Sequence, residues 1–302
     1  VSSDQAFVSK VLLFGEYSVI KRSRALAIPY PLFEGRLKFE SSKNTVIDSE
    51  LKAFCQYLKK AQREDSTFEF DVNSFEFDIG QGLFFDSTIP QGFGVGSSGA
   101  LCAALVDRYT NCEKDETQIQ NLRSFFALLE SHFHGSSSGF DPLVSYLNRP
   151  ILIQEDQHLS LVDLPAYKKG TGCLFLLNTG RARRTEPLVN LFLEKCKSEH
   201  FNSLCTENLL PITNNCIESF LEGEVQNLFE NFKLLSQFQF ENMKEMIPKI
   251  FQDTWESGLN GEDFYFKLCG AGGGGFLLGM TRDFTSARKG LEGQEIRPLF
   301  YF

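Results

Sequence analysis

Pro90-Gln91-Gly92-Phe93-Gly94-Val95-Gly96-Ser97-Ser98-Gly99-Ala100 sets four glycines and two serines directly before a helix-like run that carries Leu101, Leu105 and Tyr109. Each glycine weakens a helix by about 1 kcal/mol relative to alanine, so such a cluster at a helix entrance needs a reason. One reading is a flexible turn. The other is a phosphate cradle: bare backbone lets N–H groups approach an anion, and the first helical turn directs its unpaired N–H groups and positive dipole end at the same place. The stretch contains no G-x-x-x-x-G-K-[ST], and counted from Gly92 the third glycine of the dinucleotide fingerprint is replaced by Ser97. The loop by itself leaves both readings open.

The chain has 302 residues, 42% hydrophobic and 23% charged, which suits a globular protein of two domains or one large one. A formal net charge of -9 argues against a nucleic-acid binder or a binder of anionic membranes. An acidic protein that holds an anion must gather its cations locally. The eight cysteines are scattered, none in C-x-x-C spacing, and Cys173 and Cys269 sit inside apolar runs. They read as reduced structural thiols, not as a disulfide framework or a zinc site. The N-terminal stretch has no signal pattern and no apolar run approaches the ~20 residues that span a bilayer, so the expected location is cytoplasmic. The sequence leaves a homodimer open.

Along the chain, Lys10–Phe14 reads as a buried strand, followed by a turn around Pro29 and Pro31 and a strand from Leu32 to Glu40. Leu51, Phe54, Cys55, Leu58 and Ala61 recur at helical spacing. Phe68, Phe70 and Val72, then Phe75, Phe77 and Ile79, alternate with acidic residues and predict a β-hairpin with one wet face. A second helix carries Leu122, Phe125, Phe126, Leu129 and Phe133 and stops at Gly135. A strand at Cys173–Leu177 precedes a largely helical region to about Trp255, then strand, glycine loop and strand in FYFKLCGAGGGGFLLGM, a helix near Ser286–Leu291 and a final strand RPLFYF. The expected class is α+β in two domains, 1–168 and 169–302.

Chemistry concentrates in four places. Lys10 lies inside an apolar strand that leads into Gly15-Glu16-Tyr17; the serine–glycine loop is the second. The third is Glu130-Ser-His-Phe-His-Gly135-Ser-Ser-Ser-Gly139-Phe-Asp141, where one carboxylate suits a metal and the other a substrate hydroxyl. His132 and His134, at i and i+2, point apart on a helix and read as structural. The fourth is Gly270-Ala271-Gly272-Gly273-Gly274-Gly275 between two apolar strands, where glycine signals close approach to a ligand or another backbone.

KVLLFGEY, PQGFGVGSSGA and KLCGAGGGG, in this order from Lys10 to Gly275, resemble the three motifs of the GHMP kinases. The resemblance implies an α+β fold with an N-terminal domain like ribosomal protein S5 and a ferredoxin-like C-terminal domain. It implies ATP and Mg²⁺ as cofactors and a small-molecule alcohol as substrate. Pro90, Gly92, Gly94, Gly96, Ser97, Ser98, Gly99 and Ala100 would wrap the ATP phosphates, together with Gly272 and Gly273. The Glu130-to-Asp141 segment is similar to that of the mevalonate kinase branch: Ser98 and Glu130 would hold Mg²⁺, and Asp141, beside Lys10, would face the substrate hydroxyl. Glu16, Tyr17, Thr185, Gly270 and Ala271 would lie towards the substrate, and Arg181, Arg183 and Arg184 would supply local positive charge. Two departures stand out. Gly15-Glu16-Tyr17 replaces the usual GEH and is commoner in phosphomevalonate-type enzymes, and Val8-Ser9-Lys10 replaces the usual P-G-K.

Overall fold

The computed structural model describes residues 5–40, 48–64, 69–112, 118–167, 170–182 and 186–302. A first sheet contains β1 (Phe7–Phe14), β2 (Ala25–Phe39), β3 (Leu83–Ser87), β4 (Ile151–Ile153) and β5 (Leu159–Leu161). Its order is β1-β2-β4-β5, with β3 also paired to β2. A second sheet, order β7-β8-β6-β9, is built from β6 (Cys173–Asn178), β7 (Tyr265–Leu268), β8 (Phe276–Thr281) and β9 (Ile296–Tyr301). The helices that precede β4 are α1 (Ser49–Glu64), α2 (Val72–Gly80), α3 (Ser97–Tyr109), α4 (Ile119–His134) and α5 (Phe140–Leu147). Those after β6 are α6 (Glu186–Lys195), α7 (Glu199–Leu204), α8 (Leu210–Glu222), α9 (Val225–Asn242), α10 (Lys249–Gly261) and α11 (Phe284–Gly290).

The chain divides into two compact units, and not at a single point. One comprises Val1–Val11, Ile28–Pro90 and Val95–Arg149; the other comprises Leu12–Ala27, Gln91–Gly94 and Pro150–Phe302. In the first, α3 is the core helix: Gly99 to Val106 are all buried, the pattern of a helix covered on every side. It packs on α4 and α5. In the second, β6 is the central strand, its apolar run Cys173–Leu177 fully buried between β8 and β9. Phe14, at the end of β1, packs edge-on against Phe232 and beside Phe220 in this unit.

Two expectations are corrected. The hairpin expected over residues 68–79 is the helix α2, with Phe68 outside the described residues. Asp71 caps it by accepting from the Ser74 amide at 3.0 Å. Val72, Phe75 and Ile79, spaced i, i+3 and i+7, are buried while Phe77 is 66% exposed. Helical periodicity was present beneath the alternation. The turn at Pro29 and Pro31 is absent, because β2 runs through both. It pairs with β4 over Ala25–Ala27 and with β3 over Gly35–Phe39. The prolines fall between these pairings, where a missing N–H removes no bond to either strand.

All eight cysteines are free thiols, six of them buried. Among the described residues no helix is long and apolar enough to cross a membrane.

Candidate active site

Lys10 sits on β1, and its backbone N–H donates to the Val95 carbonyl at 2.9 Å, which ties the strand to the glycine loop. Its side chain, 6% exposed, reaches Asp141 Oδ2 at 2.9 Å. Asp141 lies in the first turn of α5, where the helix dipole favours a carboxylate. Two glycines allow that helix to come so close. A Cβ on Gly139, whose φ is +69°, would stand 2.1 Å from the Arg123 carbonyl oxygen on α4. A Cβ on Gly99 would stand 2.9 Å from both the Asp141 carbonyl carbon and the Pro142 nitrogen.

Glu130, on α4, is 5% exposed. Ser98 Oγ donates to its Oε1 at 3.0 Å, and Ser137 Oγ donates to its Oε2. Burial above all, then the negative charge of Asp141, pushes the Glu130 carboxyl up to about 7, against the hydrogen bonds from Ser137 and Ser98 and the Lys10 cation. His134 Nε2 lies 3.0 Å from the same Ser98 Oγ. Where the serine proton goes to Glu130 the imidazole nitrogen donates in that contact, and where Glu130 is protonated the serine can turn its own proton to the imidazole. The two histidines do point apart, and His132 packs against the rings of Phe54 and Tyr57. His134 belongs to the site all the same. Its signal was the i, i+4 spacing from Glu130, which puts both on one helix face.

The glycine loop has the backbone its composition suggests. Gly92, Gly94 and Gly96 have φ of 77°, 74° and 81°, the left-handed region where side chains are strained. Gly96 is the N-cap of α3, and with no side chain it offers the leading amides of that helix no cap of its own. Ser97 and Ser98 open the helix, while Ala100 is fully buried and its amide bonds Gly96 O. Counted from Gly94, the glycines at 94, 96 and 99 do match the dinucleotide spacing. Topology excludes that motif here, because the preceding strand β3 is antiparallel to its neighbour β2.

In the second unit the Gly270–Gly275 loop joins β7 to β8. Gly273 N–H donates to Met246 O at 2.6 Å and Gly275 N–H to Arg181 O at 2.7 Å. These two amides hold the loop's own shape. Tyr17 OH donates to Ala271 O at 2.5 Å. Glu16 is buried, with Lys267 Nζ 2.8 Å from Oε2 and Gln239 Nε2 donating to Oε1 at 2.7 Å. Burial raises its carboxyl pKa and Lys267 and Gln239 oppose the shift. Arg183, Arg184 and Thr185 lie outside the described residues.

A glycine loop at the head of α3, beside a buried lysine paired with a half-buried aspartate, is an arrangement able to hold an anion and to take a proton next to it. Residues 51–149 match the family model described as "GHMP kinases N terminal domain", and the chain shares the fold of the solved kinases named below. The chain is similar to the mevalonate kinase of Pyrococcus abyssi (strain GE5 / Orsay), 26% identical over 308 residues, covering 90% of this chain and 87% of that one. In structure it resembles Streptococcus pneumoniae phosphomevalonate kinase in complex with phosphomevalonate and AMPPNP (TM-score 0.65, 14% identity, 98% and 99% of the two chains). It also resembles Lactococcus lactis galactokinase complexed with galactose (TM-score 0.68, 14% identity, 99% and 94%). These structural neighbours act on unlike acceptors, so their likeness speaks for the fold alone.

Proposed function

We propose that the protein is an ATP- and Mg²⁺-dependent kinase that phosphorylates mevalonate to mevalonate 5-phosphate, a step of isoprenoid biosynthesis. The observation that carries this reading is the Lys10–Asp141 contact at 2.9 Å, at the foot of the glycine loop. Phosphoryl transfer asks a protein mainly for positioning and for neutralisation of charge. The loop amides at the head of α3 bind the ATP phosphates, and Lys10 adds a fixed cation. Asp141, whose side chain is 34% exposed, orients the acceptor hydroxyl and takes its proton.

The donor set around Glu130 suits Mg²⁺, a hard cation that takes one or two carboxylates and completes its shell with water and phosphate oxygens. Glu130 and Ser98 supply oxygens, and a carboxyl pushed up by burial gains from a divalent charge beside it. Among the described residues no three His, Cys, Asp or Glu side chains gather to hold a metal by themselves. An ion that arrives with the nucleotide needs no such cage. When bound, it spreads the charge of the β- and γ-phosphates.

Phosphomevalonate is the second reading, on the strength of Tyr17 in the GEY segment. Sequence similarity to the archaeal mevalonate kinase favours mevalonate. ADP release from ATP and Mg²⁺ is measured with mevalonate, phosphomevalonate and galactose. A much higher kcat/KM for phosphomevalonate replaces the first reading with the second, and nucleotide binding without turnover of any acceptor makes the protein a sensor. Asp141→Asn keeps ATP binding and lowers kcat by roughly 10²–10⁴.

A further inference from the structure

Tyr17 stands in a backbone conformation that a tyrosine does not choose. Its φ is +62° and its ψ −46°, outside even the left-handed helical region that non-glycine residues sometimes visit. Such conformers persist only where the surroundings over-determine them. Here the determinants lie on both sides. Before it, Gly15 is pressed onto β2, where a Cβ would stand 2.3 Å from Ala25 Cβ, and Glu16 is anchored by Lys267 and Gln239. After it, Ser18–Lys21 winds into a short 3₁₀ helix that bonds back to Gly15 and Tyr17.

The strained turn delivers the phenol to one place. Tyr17 is 4% exposed, its ring lies 4.7 Å from that of Phe192, and its hydroxyl donates to Ala271 O at 2.5 Å. A phenol has one proton, and this one is committed. Ala271 in turn lies between Gly270 and Gly272, both at positive φ (77° and 76°). Glycines on both sides lend the intervening backbone no stiffness of their own. The flanks of the loop are anchored elsewhere: the Leu268 amide donates to Gln239 Oε1 at 2.8 Å, and the Gly273 amide to Met246 O. Between these anchors the Tyr17 hydroxyl bonds the Ala271 carbonyl, and Cys269 Sγ lies 4.0 Å from Leu12 O.

We propose that Tyr17 is a positioning residue whose hydroxyl, bonded to the Ala271 carbonyl, sets the shape of the Gly270–Gly272 part of the loop and through it the affinity for the phosphate acceptor. Its link to the acceptor rests on the kinase reading above, with Gly270 and Ala271 towards the substrate as the resemblance implies. Its link to the loop does not.

Tyr17→Phe removes the hydroxyl and leaves the ring on Phe192. Amide hydrogen exchange of the free protein is followed in peptides that cover 269–276 and, as a control, β8. Steady-state kinetics with the best acceptor and titration with a fluorescent ATP analogue complete the set. The expected result is exchange in the loop faster by about fivefold or more, the loss of one buried hydrogen bond, with β8 unchanged. The acceptor KM rises by a similar factor while kcat and analogue affinity stay within about twofold. Unchanged exchange in the loop overturns the proposal, and so does an equal weakening of acceptor and nucleotide. Tyr17→His, which keeps an aromatic ring and shortens its reach, gives the same pattern if the hydroxyl is what matters; wild-type exchange in it overturns the assignment as well. If the wild type turns over no acceptor, the kinase reading falls, and loop exchange still decides whether Tyr17 holds the loop.

Discussion

Replacing Gly99 by alanine adds one methyl group at the contact that brings α5 to α3. The new Cβ would lie 2.9 Å from the Asp141 carbonyl carbon and the Pro142 nitrogen, and 3.2 Å from Pro142 Cα. These are backbone atoms and cannot rotate away. Ordinary contact begins at 3.4 Å, so the two helices must part by about 0.5 Å. Overpacking of this kind costs about 1–3 kcal/mol, and the helix propensity of alanine returns about 1 kcal/mol, so the net loss of stability is at most about 2 kcal/mol. The protein stays folded. The chemistry is more exposed to the shift, because α5 carries Asp141 and the Lys10–Asp141 separation of 2.9 Å has no slack in it. A 1 Å misplacement costs about 10²-fold in rate, so half of that implies roughly a tenfold fall in kcat. Coupled detection of ADP gives kcat, and urea denaturation gives the stability. A Gly99→Ala protein within twofold of wild-type kcat would show that helix separation does not govern the site.

Other expectations follow from single features. Gly96→Val forces a β-branched residue to φ +81° and against Lys10 Cγ, 2.9 Å from the new Cβ; strain of about 1–3 kcal/mol should weaken ATP binding by tenfold or more in calorimetry, and unaltered affinity counts against the cradle. In the free protein the Glu130 carboxyl is raised from 4.5 to about 7. The stability this protonation lends is complete below the unfolded value of 4.5 and is lost as pH rises through 7, so Glu130→Gln should flatten the pH dependence of urea midpoints between about pH 4.5 and about pH 7 without nucleotide or Mg²⁺; an unchanged slope refutes it. Lys267→Met strands the buried Glu16 carboxylate and should destabilise by about 3–5 kcal/mol, with Glu16→Gln added to it recovering most of the loss; no recovery in the double variant would mean that packing, not charge, was lost.

The class of fold was legible in the sequence, and two of its local elements were not. Lys10, Ser98, Glu130 and Asp141 are far apart in the chain, yet each stood in a short pattern with a chemical reason, and the structure brings them together in one unit. The helix α2 was misread because acidic residues alternate with phenylalanines there, and a capping aspartate outweighed the alternation. Pro29 and Pro31 signalled a turn only because the sequence does not say where β2 changes partners. Tyr17 and Glu16 were read as substrate-facing. Their polar groups are engaged by Ala271, Lys267 and Gln239, partners that periodicity cannot foresee at such sequence separation.

That separation bears on how the chain is made. Tyr17 and its partner Ala271 are 254 residues apart. At roughly 5–20 residues per second, a ribosome needs roughly 13–50 s between adding the one and adding the other. Throughout that interval the turn after β1 is without the loop it will hold, and Glu16 is without Lys267. Ala25–Ala27 can pair with β4 once residues 151–153 are made, whereas Glu16 and Tyr17 gain these partners only with β7 and the loop after it. The aromatic partners of Phe14 and Tyr17, namely Phe192, Phe220 and Phe232, are made before β7, so the rings can pack before the Tyr17 hydroxyl finds its carbonyl.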